Sequence, residues 1–263
     1  MIPSLMPAVS EHLQRGKENA VNFAQSHLID FLLWLLIVEL TIETDETAQT
    51  QLNTYLANGP TEPIVFSAVP HTGHPDSLYV YKAIEQLSPA TLNNLQFVSA
   101  KDTWQSRFSR LIARAVAGEP YLFDRQNLTV GSMRTQLEEM GQLLRPEEGT
   151  PRSLAIYPQG TRTLGAPVED LPVSLARHNN VPLAVLNISG AEQVMPKVPE
   201  GQQASQVIQL LIRRLRMRRA NIKNHTHHVH IKLADFIPPE LSRKEMKERF
   251  FASHDRTENK KSS

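Results

Sequence analysis

The stretch "VFSAVPHTGHPDSLYVYKAIEQL", residues 65–87, joins a short apolar run to a helix-like run through a polar loop. The apolar run is rich in β-branched and aromatic residues, which is typical of a buried strand. Pro75 suits the first position of a helix, so His74 is the predicted cap residue and Asp76 lies in the first turn. The segment therefore predicts a strand, a loop with two histidines, and a helix.

Strand-like and helix-like runs alternate along most of the chain. Strands are predicted at 63–69, 95–100, 120–123, 153–158, 181–188 and 229–237. Helices are predicted at 75–87, 103–117, 129–145, 168–178, 203–222 and 240–251. Ser242 and Glu245 form a capping box before the last helix. The alternation predicts an α/β fold with a central mixed, mostly parallel sheet flanked by helices, and functional sites at the carboxyl ends of its strands.

The pattern divides the chain into three parts. Residues 1–60 are predicted to be an N-terminal helical segment, residues 61–252 the main domain, and residues 253–263 a polar tail. The most apolar stretch, residues 27–40, would be about 21 Å long as a helix, shorter than the ~30 Å core of a bilayer. It fits a core helix or a segment that lies in one leaflet.

Composition restricts the classes of function. The 263 residues carry a formal net charge of +1, so attraction to an acidic partner must come from local patches. There is no cysteine, which excludes disulfides, thiolate zinc sites and a cysteine nucleophile. We find no secretory signal at the N-terminus.

The loop after the first predicted strand has two chemical interpretations beside that of a plain surface loop. Metallo-β-lactamase-type hydrolases use His-x-His-x-Asp-His, whereas this chain has His-x-x-His-x-Asp, with one spacing shifted and the last histidine missing. In the acid–base interpretation, the carboxylate of Asp76 holds one ring nitrogen of His71 and leaves the other nitrogen as a base.

Three further loops that follow predicted strands carry charged side chains. Lys101 follows 95–100, Asp124 and Arg125 follow 120–123, and Gly160, Thr161 and Arg162 follow 153–158. Such loops converge at one edge of a parallel sheet, where arginine forks and a glycine-freed backbone suit a phosphate. Taken singly, each of these residues is more often a surface charge.

Taken in order, these motifs resemble those of the lysophospholipid and glycerol-phosphate acyltransferases, the family of 1-acyl-glycerol-3-phosphate acyltransferases. The family's His-x4-Asp is matched by His71 and Asp76, Phe-Ile-Asp-Arg by LFDR (122–125), Phe-Pro-Glu-Gly-Thr-Arg-Ser by YPQGTRT (157–163), and Val-Pro-Ile by VPLAV (181–185). Lys101 stands at an earlier lysine position of the family. Order and spacing agree from about residue 60 to 190.

The chain departs from the family pattern at three places. Gln159 replaces the glutamate of the third motif, Pro70 stands where many members have asparagine, and residues 164–180 replace a Lys/Gly segment. In the family the glutamate helps to shape the acceptor pocket. Glutamine keeps its size and hydrogen bonding but not its charge, so the departure concerns the acceptor more than the chemistry.

The resemblance implies an O-acyltransferase of phospholipid biosynthesis and lipid metabolism. It would move a fatty acyl group from acyl-CoA or acyl carrier protein to the hydroxyl of a phosphate-bearing acceptor such as 1-acyl-glycerol 3-phosphate. His71 would be the general base and Asp76 would orient it, with no metal ion or other cofactor expected. The acceptor and its phosphate would be held by Lys101, Arg125, Gln159, Gly160, Thr161 and Arg162.

The alternatives within this fold are a glycerol 3-phosphate acyltransferase, an acyltransferase for another alcohol or an amine, and a non-catalytic member that binds lipid or acyl carrier. A zinc hydrolase is an alternative of a different class. Residues 205–223 would form a helix with one apolar face and several arginines, packed on the sheet or docked on anionic lipid or acyl carrier protein. The run HTHHVH (225–230) indicates surface positions more than a zinc site. We expect a cytoplasmic protein, peripheral to an anionic membrane, without a nucleic-acid partner.

Overall fold

The computed structural model describes residues 24–36, 38–59, 62–72, 75–101, 118–125, 129–159, 167–194, 212, 215–216 and 226–258, with side chains up to residue 254. The predicted helix 103–117 lies outside these residues, as does the predicted helix 203–222 apart from Ile212, Leu215 and Arg216. The same holds for His74, Gly160, Thr161, Arg162 and His225.

Seven described strands form one sheet. They are β1 (Val38–Thr44), β2 (Val65–Val69), β3 (Leu95–Ala100), β4 (Tyr121–Phe123), β5 (Ser153–Ile156), β6 (Leu183–Ser189) and β7 (His227–Ile237). Their order across the sheet is β1-β7-β6-β2-β5-β3-β4. Among these strands the β6–β7 pair is antiparallel and the other pairs are parallel. The predicted α/β fold with a mixed, mostly parallel sheet is confirmed.

Helices cover both faces of this sheet. They are α1 (residues 24–36), α2 (Glu46–Asn58), α3 (Asp76–Leu87), α4 (Val130–Leu144), α5 (Leu171–His178) and α6 (Arg243–Glu258). Apolar side chains of α1, α2 and α3 pack on one face, and those of α4, α5 and α6 pack on the other. Successive side chains of a strand point to opposite faces, so Val65 and Phe66 of β2 belong to different cores.

Capping residues fix the beginnings of two helices. The Asp45 carboxylate accepts hydrogen bonds from the backbone N–H groups of Thr47 and Ala48, at 3.0 and 3.3 Å, where α2 begins. At α6, the Ser242 N–H donates to Glu245 Oε2 at 2.9 Å and the Glu245 N–H donates to Ser242 Oγ at 3.3 Å. The predicted capping box is therefore present.

The N-terminal part is not helical throughout, so the prediction of a helical segment over residues 1–60 is wrong for residues 38–44. These residues form β1, which pairs in parallel with β7, and the apolar run 27–40 is divided between α1 and β1. In VELTIET the apolar side chains alternate with exposed glutamates and threonines, a period of two that a strand satisfies and a helix does not. Within the described ranges, no helix is both long and apolar enough to cross a membrane.

The start of α3 differs by one residue from the prediction. Pro75 is the cap residue, because its carbonyl accepts the helical hydrogen bond of the Tyr79 N–H at 3.3 Å and also binds the Leu78 N–H at 2.8 Å. His74 is therefore not the cap. Proline has no N–H that would need a partner at this position. Asp76 lies in the first turn, as predicted.

A buried polar cluster joins the end of α6 to β6 and β7. The Asn187 amide donates to the Ser253 carbonyl at 2.8 Å, and its oxygen lies 3.1 Å from His254 Nδ1. Arg249 pairs with the Asp235 carboxylate beside them. Burial lowers the pKa of His254 to about 4, and its Nε2 has no hydrogen-bond partner among the described residues. The imidazole is therefore neutral, with its proton on Nδ1.

We expect acid to destabilise the fold through His254. Between pH 6.5 and about pH 4 the unfolded chain binds a proton at this histidine that the folded chain does not bind. The free energy of unfolding therefore falls as the pH falls, by up to about 3 kcal/mol. Urea unfolding across this range should show a smaller pH dependence in His254→Gln. Met246→Ala, buried on the same helix and without a titrating group, should lower stability equally at each pH; an unchanged pH slope in His254→Gln would contradict this assignment.

Candidate functional site

Parallel strands bring the predicted site loops to one edge of the sheet, which we call the carboxyl edge. β2 pairs in parallel with β5, β5 with β3, and β3 with β4. Their carboxyl ends therefore lie side by side. The residues that follow these ends are His71 after β2, Tyr157 and Gln159 after β5, Lys101 after β3, and Asp124 and Arg125 after β4.

His71 and Asp76 are in direct contact at this edge. His71 Nδ1 lies 2.9 Å from Asp76 Oδ2. The Asp76 side chain is 1% exposed, and its carboxylate also accepts from the backbone N–H of Thr72 at 2.5 Å and from the Thr72 hydroxyl at 3.2 Å. These donors offset the cost of burying the carboxylate, and they hold His71 and Thr72 against the start of the helix.

The contact determines which ring nitrogen of His71 can act as a base. An ionised carboxylate only accepts hydrogen bonds, so in the neutral imidazole Nδ1 carries the proton and Nε2 carries the lone pair. The His71 side chain is 20% exposed. A histidine held in this way can take a proton from a hydroxyl group.

The ring of Tyr157 packs flat against the imidazole of His71. The ring centroids are 4.2 Å apart and the planes differ by 22°. The Tyr157 hydroxyl lies 3.4 Å from Ser77 Oγ on α3. Burial, and then the charge of Asp76, raise the pKa of Tyr157 well above its usual value, so the phenol stays neutral. Sequence reasoning did not select Tyr157 as a site residue, although an aromatic residue directly after a strand in the YPQGTRT motif is a usable signal.

Gln159 contacts the main chain of His71. Its Oε1 accepts the His71 backbone N–H at 2.8 Å, and Gln159 is 8% exposed. The sequence predicted this residue for the acceptor site, and the structure places its carbonyl oxygen on the residue that carries the imidazole. Gly160, Thr161 and Arg162, which follow it in the motif, lie outside the described residues.

A second group of side chains lies at the ends of β3 and β4. Lys101 Nζ is 3.3 Å from Asp124 Oδ2, and the lysine is mostly exposed. The amide of Gln136 on α4 binds the backbone of Asp124 twice: its Oε1 accepts the N–H at 2.5 Å and its Nε2 donates to the carbonyl at 3.1 Å. Half-buried Arg125 follows. No motif marks Gln136 in the sequence, because its role depends on where α4 packs.

The two groups are separated along the carboxyl edge. β5 lies between β2 and β3, so Lys101 stands about two strand spacings from His71, roughly 10 Å, and Arg125 about three, roughly 14 Å. The structure therefore brings His71, Asp76 and Gln159 together. Lys101 and Arg125 lie further along the edge, across a gap that a bound molecule can span.

Two other features lie away from these residues. A cavity of about 510 Å³ runs along β1 between α1 and α3, and no predicted site residue lines it. In the histidine run, His228 and His230 are exposed, with Nδ1 atoms 3.3 and 3.9 Å from carboxylate oxygens of Glu39 and Glu43. In the described part of the chain, no three His, Asp or Glu side chains form a group that could hold a metal ion. We therefore place the candidate site at His71.

No model of a known protein family matches this chain, and no curated protein matches it either. The chemical interpretation of the carboxyl edge therefore depends on the contacts of His71 and on the order of the motifs along the sequence.

Proposed function

We propose that the protein is an O-acyltransferase that moves a fatty acyl group from an acyl-thioester to the hydroxyl of a phosphate-bearing acceptor such as 1-acyl-glycerol 3-phosphate. The thioester is acyl-CoA or an acyl carrier protein. The supporting observation is the 2.9 Å contact between His71 Nδ1 and the buried Asp76 carboxylate, which leaves Nε2 as a base of fixed orientation.

In this reaction the Nε2 atom of His71 takes the proton of the acceptor hydroxyl while the hydroxyl oxygen bonds to the thioester carbonyl carbon. The tetrahedral intermediate then expels the thiolate, which receives the proton from the imidazolium, so that the products are an ester and a free thiol. Asp76 stabilises the imidazolium in between. The acyl group passes directly to the acceptor, and no side chain of the protein needs to be acylated.

The phosphate of the acceptor is held by the cations further along the carboxyl edge. Lys101 is paired with one partly exposed carboxylate, Asp124, and an exposed ion pair contributes at most about 1 kcal/mol. An incoming phosphate can therefore recruit this lysine at small cost. Arg125 and Arg162 supply guanidinium forks in the same proposal, with Gly160 and Thr161 beside them.

An aromatic surface on α1 is proposed to contact lipid. Phe31 and Trp34 of α1 are 54% and 46% exposed and stack with ring centroids 5.8 Å apart. α1 leads into β1, and β1 begins at the carboxyl edge because it is parallel to β7, which is antiparallel to β6. Aromatic side chains at a membrane interface suit a peripheral protein that takes its acceptor from the bilayer. In the proposal the protein is cytoplasmic, and residues 205–223 add attraction to anionic lipid.

Release of free thiol from acyl-CoA, measured with and without 1-acyl-glycerol 3-phosphate, tests the reaction and its base. His71→Ala should lower turnover by about 10²–10⁴-fold, because it removes general-base catalysis. Asp76→Asn should also lower turnover, since it removes the charge that stabilises the imidazolium. His74→Ala should cost far less. Circular dichroism checks the fold of each variant, and near-parental transfer by His71→Ala would rule out the proposed base.

The phosphate assignment predicts a change in acceptor binding. Lys101→Ala should raise the KM for the phosphorylated acceptor about tenfold with little change in kcat, because it removes a charge-assisted hydrogen bond to the ground state. The matched control is Lys244→Ala on α6, an exposed lysine paired with Glu248, which should leave KM unchanged. Equal use of a neutral acceptor that lacks the phosphate would show that the assignment is wrong.

Binding to vesicles tests the aromatic surface. Sedimentation with anionic liposomes should fall strongly in the double variant Phe31→Ser and Trp34→Ser, because apolar area enters the interface through these rings. It should also fall as salt rises. Val130→Ser is the control, since Val130 is an exposed apolar side chain at the start of α4. Equal loss in the control, or equal binding to neutral vesicles at all salt concentrations, would contradict the prediction.

A further inference from the structure

The hydrogen bond between Gln159 and His71 ties two neighbouring strands together just beyond the sheet. The β2–β5 pairing runs from Val65–Leu154 to Ser67–Ile156. Beyond it the segments that follow β2 and β5 no longer pair through backbone hydrogen bonds. The Gln159 side-chain carbonyl takes the place of a backbone acceptor for the His71 N–H at 2.8 Å. Gln159 is buried, so this bond is shielded from competing water.

Described contacts therefore reach three different parts of His71. Asp76 holds Nδ1, the Tyr157 ring packs on the face of the imidazole, and Gln159 holds the main chain. The first two contacts set the plane and the rotation of the ring. The third fixes the position of the main chain from which the side chain extends. A base that is displaced by about 1 Å can lose a hundredfold in rate, so the third contact matters as much as the others.

We propose that Gln159 is a positioning residue for the base rather than a wall of the acceptor pocket, and that its neutral amide sets the pH range in which His71 is unprotonated. The inference rests on the proposed function. The carbonyl oxygen of Gln159 binds the His71 N–H and the residue is 8% exposed, so its side chain offers little surface to an acceptor molecule.

The charge at this position matters because of what else faces His71. Asp76, from α3, is the carboxylate in contact with the ring, and Tyr157, directly after β5, is a neutral phenol. Lys101 and Asp124 pair with each other further along the edge. A carboxylate in place of the Gln159 amide would lie within about 6 Å of the imidazole and would favour its protonated form. The neutral amide of Gln159 adds no such charge.

The experiment compares Gln159→Ala and Gln159→Glu with the same two substitutions at Gln96. Gln96 is equally buried, donates to the Glu119 carbonyl and accepts from Arg152, and it lies at the start of β3, opposite the carboxyl edge. The first readout is kcat and acceptor KM between pH 5 and 9, with acyl-CoA and 1-acyl-glycerol 3-phosphate. The second is an NMR titration of the His71 imidazole, which needs no substrate.

Gln159→Ala should lower kcat by about 10- to 100-fold and leave the acceptor KM within about twofold. Gln159→Glu keeps an oxygen for the His71 N–H, so kcat at high pH should stay near the parental value. The acid limb of kcat/KM and the imidazole titration should both move to higher pH by about one unit or more. The Gln96 variants should show neither effect.

A raised acceptor KM at unchanged kcat in Gln159→Ala would show that Gln159 contributes to acceptor binding, and it would overturn the inference. An acid limb and an imidazole titration that do not move in Gln159→Glu would overturn it as well. If the parent protein transfers no acyl group to any acceptor, the proposed function fails. The NMR titration then still tests the inference about Gln159. A shift of the imidazole titration in Gln159→Glu that is absent in Gln96→Glu supports the contact with His71, and the lack of a shift contradicts that contact.

Discussion

The buried carboxylate of Asp76 is the constraint on which the carboxyl edge depends. A charge that is withdrawn from water costs several kcal/mol unless hydrogen-bond donors surround it. His71 and Thr72 supply such donors, and they can do so only if the loop after β2 turns back over the first turn of α3. The positive end of the helix dipole favours the carboxylate there too. The orientation of the imidazole is therefore a consequence of satisfying one buried charge.

The order of the strands gives the two halves of the candidate site different physical character. Around His71 the contacts come from α3 and from the residues that follow β5, so the imidazole is held before any molecule binds. Around Lys101 the contacts are more exposed, and an ion pair such as that with Asp124 contributes little free energy. Gln136 fixes the backbone under this pair without fixing the lysine. A rigid half suits proton transfer, and an adaptable half suits recognition of an anion.

The local parts of this arrangement could be predicted from the sequence, and the through-space parts could not. Short β-branched and aromatic runs bounded by turns predict β2 and β3 closely. The residues that favour a strand there are also the apolar residues that the fold buries. The spacing between His71 and Asp76 implies their contact, since a loop and a helix start suffice to make it. β1 was missed because its apolar residues continue the run of α1, and the alternation in VELTIET is short. The bond from His71 to Gln159 requires β5 to lie beside β2, which motif spacing does not specify.

The pairing of β1 with β7 has a consequence for how the chain is made. Val38 pairs with His227, so β1 is synthesised well before the strand with which it pairs. Pairing between strands so distant in sequence slows folding, and the sheet cannot be completed on a nascent chain that lacks β7. Until β7 is made, neither edge of β1 has a partner among the described strands, and one of its edges has no partner strand in the described sheet either. Glu39 and Glu43 place charges on the exposed face of β1, which disfavours its pairing with other chains both before and after the sheet is complete.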